Sequence, residues 1–309
     1  MFDVQYLNNL RAKYNYDDKT MRALGKIIPC LIDYYGDSYE EHILSAIFDA
    51  RIISCNSYQT ISKFRSENKL TKIVGQSEIG SIDIKSNEGV YLSNVKISYN
   101  EFTNSYNIDE ISRLIVTAHS FNYDSPKGLE VLVYLLVKLI KSYENEYTID
   151  ENVITKRSGI SSETRNIMND KNEIYLDFDS DKFKGLQEGF NIYDTGEIVS
   201  LILGDKYQCY DYDSILTVAS IIKNKFGLGE QVNRFEITGD IDGLYKIYPN
   251  GIDDLALKCD ECLLLENEMF ISMFREEKNE LAKTINKKLS VDIFKKLMDL
   301  YEFRSKIKT

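Results

Sequence analysis

The chain is 309 residues long with 43% hydrophobic and 28% charged residues, which fits one large core or two modest ones and excludes a wholly disordered chain or a disulfide miniprotein. Its 38 Lys+Arg against 49 Asp+Glu leave a net charge of −11, so no global field attracts phosphate backbones and nucleic acid is not an expected partner. Two His and no Trp beside 22 Tyr and 14 Phe describe an aromatic-rich fold with little imidazole for metal or proton chemistry.

From Asp17 to about Phe64 the apolar positions Met21, Leu24, Ile27, Ile28, Leu31 and Ile32, then Ile43, Leu44, Ile47 and Phe48, recur at helical spacing. Pro29 is expected to kink or divide the first of these helices. Between Thr71 and Asn100 short β-branched stretches broken by Gly80, Asn87 and Gly89 predict strands and hairpins. Residues 112–119 predict a buried strand, and a strongly apolar helix follows from about Gly128 to Tyr143. Residues 146–160 read as a strand pair and 172–179 as another strand. A second helix opens near Gly185, runs over 188–203 and is closed by Gly204. Ser214 to Lys225, Asp253 to Phe274 and Glu276 to Phe303 are expected to be helical.

Cys30, Cys55, Cys209, Cys259 and Cys262 are an odd number scattered along the chain, which predicts reduced thiols rather than a disulfide framework. The first residues show no secretory pattern, and the longest apolar run, Leu129 to Ile140, is short and carries Glu130 and Lys138, so no transmembrane segment is expected. A cytoplasmic location follows as the default expectation.

The helix G-L-E-V-L-V-Y-L-L-V-K-L-I-K-S-Y (128–143) is followed by E-Y-T-I-D-E-N-V-I-T-K-R-S-G-I and then by G-L-Q-E-G-F-N-I-Y-D-T (185–195). This order resembles zinc metallopeptidases of the zincin class, in which an apolar V-L-x-H-E-x-x-H-x-I helix precedes a hairpin and an R-x-G segment, and a second helix opens near N-E-G-x-x-E. In that class two His one turn apart bind Zn²⁺, the Glu between them activates water, and an acidic residue on the second helix is the third ligand. Aligned by the flanking residues, the H-E-x-x-H positions fall on Tyr134, Leu135 and Lys138, so all three chemical groups are missing. Glu188 matches the third-ligand position, and Ile192 stands where a later acidic residue would be. The resemblance, covering about residues 110–205, implies a metallopeptidase-like scaffold without its metal, in which Lys138 and Glu188 form an ion pair where the cation would sit.

Tyr134 and Lys138 also spell Y-x-x-x-K, with Ser120 upstream, a pattern that resembles the catalytic Ser, Tyr and Lys of short-chain dehydrogenases. Such enzymes resemble one another in an N-terminal strand, Gly-rich turn and helix that cradle a pyrophosphate. Here Gly25 and Gly36 stand alone in the first 70 residues, and the pairs Gly227 with Gly229 and Gly239 with Gly243 complete no G-x-G-x-x-G.

Other groups read as structural or functional in turn. His119 ends a strand and could be a base, and His42 beside Glu40 and Glu41 could titrate; structural or solvated roles are the commoner ones. Cys259 and Cys262 form a lone C-D-E-C, read as one packed thiol and one exposed. Asp240 and Asp242 in G-D-I-D-G suggest a turn rather than a calcium loop, because no Glu falls at the twelfth position. The run Asp205 to Asp213 interleaves Tyr207 and Tyr210 with carboxylates; it either meets a basic partner or packs its rings while Asp211 and Asp213 cap the next helix. The C-terminal stretch is amphipathic and basic, a core stripe of Val291, Phe294, Leu297, Met298 and Tyr301 or a surface-binding helix.

The expected fold is α+β: a helical N-terminal segment (1–70), a zincin-like core with a small mixed sheet, the central helix and the second helix (71–205), and a helical C-terminal region (206–309) packed on it. The expected protein is a catalytically inactive metallopeptidase relative, a pseudoenzyme with no cofactor or metal, that binds a peptide or protein in the vestigial cleft. A dehydrogenase-like oxidoreductase using Ser120, Tyr134 and Lys138, or a purely structural interaction protein, are the alternatives.

Overall fold

The computed structural model describes residues 4–55, 82–85, 89–118, 122–144, 146–170, 173–207, 209, 213–225, 227–247 and 252–276. The architecture is α+β, helices packed around two small sheets. Three helices open the chain: α1 (Val4–Tyr14), α2 (Asp18–Tyr35) and α3 (Glu40–Asp49). Asp17 starts α2 by accepting a hydrogen bond from the Thr20 amide at 2.7 Å. Contrary to expectation, α2 runs through Pro29 unbroken. Pro29 is on the exposed side, and the Gly25 carbonyl that loses its N–H partner is only half-buried and within reach of water.

The helical reading of residues 17–64 fails at Ala50, where β1 (Ala50–Cys55) begins. β1 lies parallel to β4 (Ser105–Ala118), with Ala50 opposite Arg113 and Cys55 opposite Ala118, a pairing that no local periodicity reveals. β3 (Gly89–Asn100) and β4 form a long antiparallel hairpin with a bulge at Lys96/Ile97, and β2 (Ile82–Lys85) completes a mixed sheet of order β1–β4–β3–β2. The expected strand at 112–119 is thus the end of a longer one; its last residue, His119, lies outside the described residues.

α4 (Pro126–Ser142) follows, with Ser125 accepting from the Gly128 amide at 3.1 Å and Pro126 in the first turn. Every residue from Gly128 to Ser142 is buried, so this helix is covered on all sides. It packs on β3 at Gly89, where an added Cβ would come within 2.7 Å of Val131 and 2.9 Å of Leu135. The second sheet is an antiparallel meander of β5 (Tyr147–Asp150), β6 (Val153–Ser158), β7 (Ser161–Asp170) and β8 (Glu173–Lys182). β7, S-S-E-T-R-N-I-M-N-D, was not expected, because it is polar and is held by ladders to β6 and β8 rather than by an apolar face.

α5 (Lys184–Leu203) ends where Gly204 takes the left-handed conformation at φ 72°. After it come α6 (Asp213–Ser220), a π-helical turn (Ile221–Lys225), α7 (Gly229–Thr238), α8 (Ile241–Ile247) and α9 (Ile252–Glu276). The expected helix beyond 276 and the basic C-terminal stretch lie outside the described residues. α5 lies between two apolar clusters. Ile192, Ile198 and Val199 join the one built from α1–α4, while Leu186, Phe190 and Tyr193, spaced as one helical stripe, join the one built from α6–α9. Cys259 and Cys262 both belong to the latter at 0% exposure, correcting the expectation that one is exposed: three apart on α9, both lie on the face turned to the cluster. Asp240 bridges α7 and α8, its side chain accepting from the Gly243 amide at 2.9 Å. Among the described residues no helix is long and apolar enough to cross a membrane.

Candidate functional site

α4 carries four polar side chains on one stripe of an otherwise apolar surface: Glu130, Tyr134, Lys138 and Lys141. α5 answers with Gln187, Glu188, Asn191 and Asp194, one position round from its apolar stripe. The two stripes face each other and form a polar seam through the middle of the molecule.

Tyr134, Lys138 and Glu188 are brought together at one end of the seam. The Tyr134 hydroxyl donates to Glu188 Oε1, and Lys138 Nζ lies 3.1 Å from Glu188 Oε2. Asn191 Nδ2 approaches Glu188 Oε2 at 3.5 Å, and Lys138 Nζ lies 5.1 Å from the centre of the Tyr134 ring. Lys138 and Glu188 side chains are 8% and 12% exposed, so the pair is largely removed from water. Leu135 and Ile192 are not part of this group. Leu135 packs over Gly89 of β3, and Ile192 lies in the apolar cluster with α4.

The other end of the seam is a closed ring of four charges that the sequence reading missed. Lys141 Nζ lies 2.7 Å from Asp194 Oδ2 and 2.5 Å from Glu236 Oε1, and Lys223 Nζ lies 2.5 Å from Asp194 Oδ1 and 2.6 Å from Glu236 Oε2. The four side chains are between 0% and 1% exposed. An ammonium has three protons to donate, and here all are spent: Lys141 adds Asn191 Oδ1 at 3.2 Å, and Lys223 adds Asn233 Oδ1 at 2.8 Å. Asp194 also accepts from the hydroxyls of Tyr34 and Tyr35 on α2, at 2.6 and 3.2 Å, and Glu236 accepts from Gln187 Nε2 at 2.7 Å. The ring therefore joins α2, α4, α5, the π-helical turn and α7.

Burial pushes the Asp194 carboxyl up, but the two ammonium groups outweigh it and hold it below its ordinary value of 3.8. Burial pulls Lys141 down, and Asp194 and Glu236 more than restore it, to above 10.5. Tyr34 and Tyr35 are raised well above 10.0 by burial and by the Asp194 charge, which keeps them as hydroxyl donors. One signal for the ring was present in the sequence: two lysines three apart in a helix with no exposed face must each find a buried carboxylate.

The remaining sequence candidates fall elsewhere. Ser120 and His119 lie outside the described residues. Gly227 and Gly229 open α7, and Gly239 and Gly243 lie at the α7–α8 turn; none follows a strand as a dinucleotide cradle requires. Tyr207, from the acidic run, turns inward and donates to Glu130 at 2.5 Å. His42 is tucked against α4, its Nε2 donating to the Ile140 carbonyl at 2.7 Å. Among the described residues no group of three or more His, Cys, Asp or Glu is placed to hold a metal ion. No family model, no curated protein and no solved structure matches this chain.

Chemically, the seam is a filled site. A carboxylate held by an ammonium and a phenol has no open position for a water or a substrate carbonyl, and the ring beyond it has no spare donor. Its physical effect is to fix the register of two buried helices.

Proposed function

We propose that this chain is a catalytically silent, metallopeptidase-like protein that works by binding a peptide or protein partner. The observation that carries the reading is the Lys138 ammonium 3.1 Å from Glu188, with Tyr134 donating to the same carboxylate. Two residues one turn apart on a buried helix and a carboxylate from the next helix are the arrangement that holds zinc in zincins; here a fixed cation occupies the carboxylate instead. The mixed first sheet alongside α4 supports the same reading. Its β2 strand is an edge among the described residues, and an extended peptide added there would be held by backbone groups without any metal.

Elemental analysis of the purified protein tests this directly. The expected result is no stoichiometric zinc, and no rise in melting temperature on adding zinc. Zinc retained one-to-one in sub-stoichiometric chelator, or hydrolysis of an unstructured protein substrate, would overturn it. A Tyr134→His/Lys138→His double variant, which leaves Glu188 in place, is expected to take up Co²⁺ with the absorption bands of a tetrahedral site; a folded variant that binds none counts against the proposed ancestry.

A further inference from the structure

Away from the seam, two adjoining cavities of about 700 and 410 Å³ run along the outer face of α3 and the exit of α4, sharing Ser38, Glu41, Ser45 and Tyr143. Their walls carry the carboxylates Asp37, Glu40, Glu41, Asp49 and Glu144 and no Lys or Arg. Tyr6, Phe48 and Tyr143 supply aromatic surface to the larger cavity. The groove is thus acidic walls on an aromatic floor.

A second observation points to what it takes. His42 lines the smaller cavity, its side chain 7% exposed, and its Nδ1 is buried with no hydrogen-bond partner. Because Nε2 faces a carbonyl, which only accepts, that nitrogen holds the ring proton, and a neutral ring presents a lone pair at Nδ1. The nearest group is the Glu144 carboxylate, 3.1 Å away, which is close enough to matter electrostatically but makes no aligned hydrogen bond. Two acceptors face each other across the cavity wall. A group with several N–H donors and a positive charge satisfies both, and Glu144, at 58% exposed, is free to turn toward it. The aromatic floor favours the same chemistry through cation–π attraction, as Lys13 already shows by placing its ammonium 3.9 Å from the Phe48 ring centre.

We infer that this groove is a docking site for a Lys- or Arg-bearing peptide segment of a partner protein, with one cationic side chain seated against Glu144 and His42. The length of the joined cavities, which follows α3 rather than closing round a single point, favours a peptide over a free amine. The inference does not depend on the metallopeptidase-like reading, since zinc uptake would remove that reading and leave the groove as it is.

The test is fluorescence anisotropy of a fluorescein-labelled octa-arginine peptide with the full-length protein at 150 mM salt. Saturable one-to-one binding is expected, weakened roughly three- to tenfold by Glu41→Gln or Glu144→Gln and abolished by Glu144→Lys, which supplies the ammonium from within. A Glu110→Gln/Glu230→Gln variant, removing two exposed carboxylates outside the groove, should bind unchanged. Equal weakening in that control would reveal attraction to net charge alone and overturn the proposal, as would no binding. Displacement by spermidine at concentrations as low as the peptide's own would assign the groove to free polyamines and overturn the peptide reading. NMR of the imidazole nitrogens at pH 8, with His119→Gln for assignment, gives an independent check: His42 Nδ1 should shift on peptide addition, whereas an Nδ1 that already carries a proton bound to Glu144 in the free protein excludes the proposed contact.

Discussion

Lys141 and Lys138 stand one turn apart on the same helix, and their surroundings predict different costs for removing them. Lys141 is 0% exposed and neutralises two carboxylates that are equally buried, so Lys141→Met leaves Asp194 and Glu236 sharing Lys223 alone. Breaking a buried pair by removing one partner costs about 3–5 kcal/mol. Lys138→Met leaves Glu188 with its Tyr134 hydrogen bond and partial access to water, and should cost less, under about 3 kcal/mol. Urea unfolding of the two variants measures the difference, and a Lys138→Met variant as unstable as Lys141→Met would contradict the ranking. The convergence of Tyr134, Lys138 and Glu188 was legible in the sequence through motif order alone. The partnership of Lys141 was not, because its carboxylates stand 53 and 95 positions away, at Asp194 and Glu236.

At the scale of elements, α5 is the helix on which the rest depends, because it packs on both apolar clusters and on the seam at once. Its closest approach to α6 is at Gly189, where an added Cβ would lie 2.6 Å from the Ile215 carbonyl oxygen. Backbone cannot yield as a flexible side chain does, so Gly189→Ala is expected to destabilise by about 1–3 kcal/mol despite alanine's better helix propensity. Thermal unfolding checks the sign: a stabilised variant would mean that α6 moves away freely. The extent of α5 and the burial of α4 were readable from Gly204 and from an apolar run with no polar face. β1 and β7 were not. Ala50–Cys55 continues an apolar rhythm that suits either a helix or a strand, and it is decided by pairing with β4. Ser161–Asp170 has little apolar periodicity, and its strand state comes from two neighbouring ladders.

For the whole molecule, the ring sets the pH range over which the helices stay together. Asp194 has a folded-state value below 3.8, so its contribution is fully present above that value and is lost as the pH falls through the lower, folded one. Lys141 is raised above 10.5, so its contribution is complete below 10.5 and is lost as the pH rises through the folded value. Stability measured by denaturant titration is expected to be lost at both extremes, below about pH 4 and above about pH 10.5, with Lys141→Met losing the alkaline flank. An alkaline limb identical in wild type and variant would show that the ring does not set it.

Four alternating charges in a cycle form an electric quadrupole with neither net charge nor appreciable dipole, and such a field decays within a few ångströms. An approaching molecule therefore senses nothing of the buried lysines. The far field belongs to the surface acids alone, and the two cations at the centre subtract nothing from the pull of the cleft along α3.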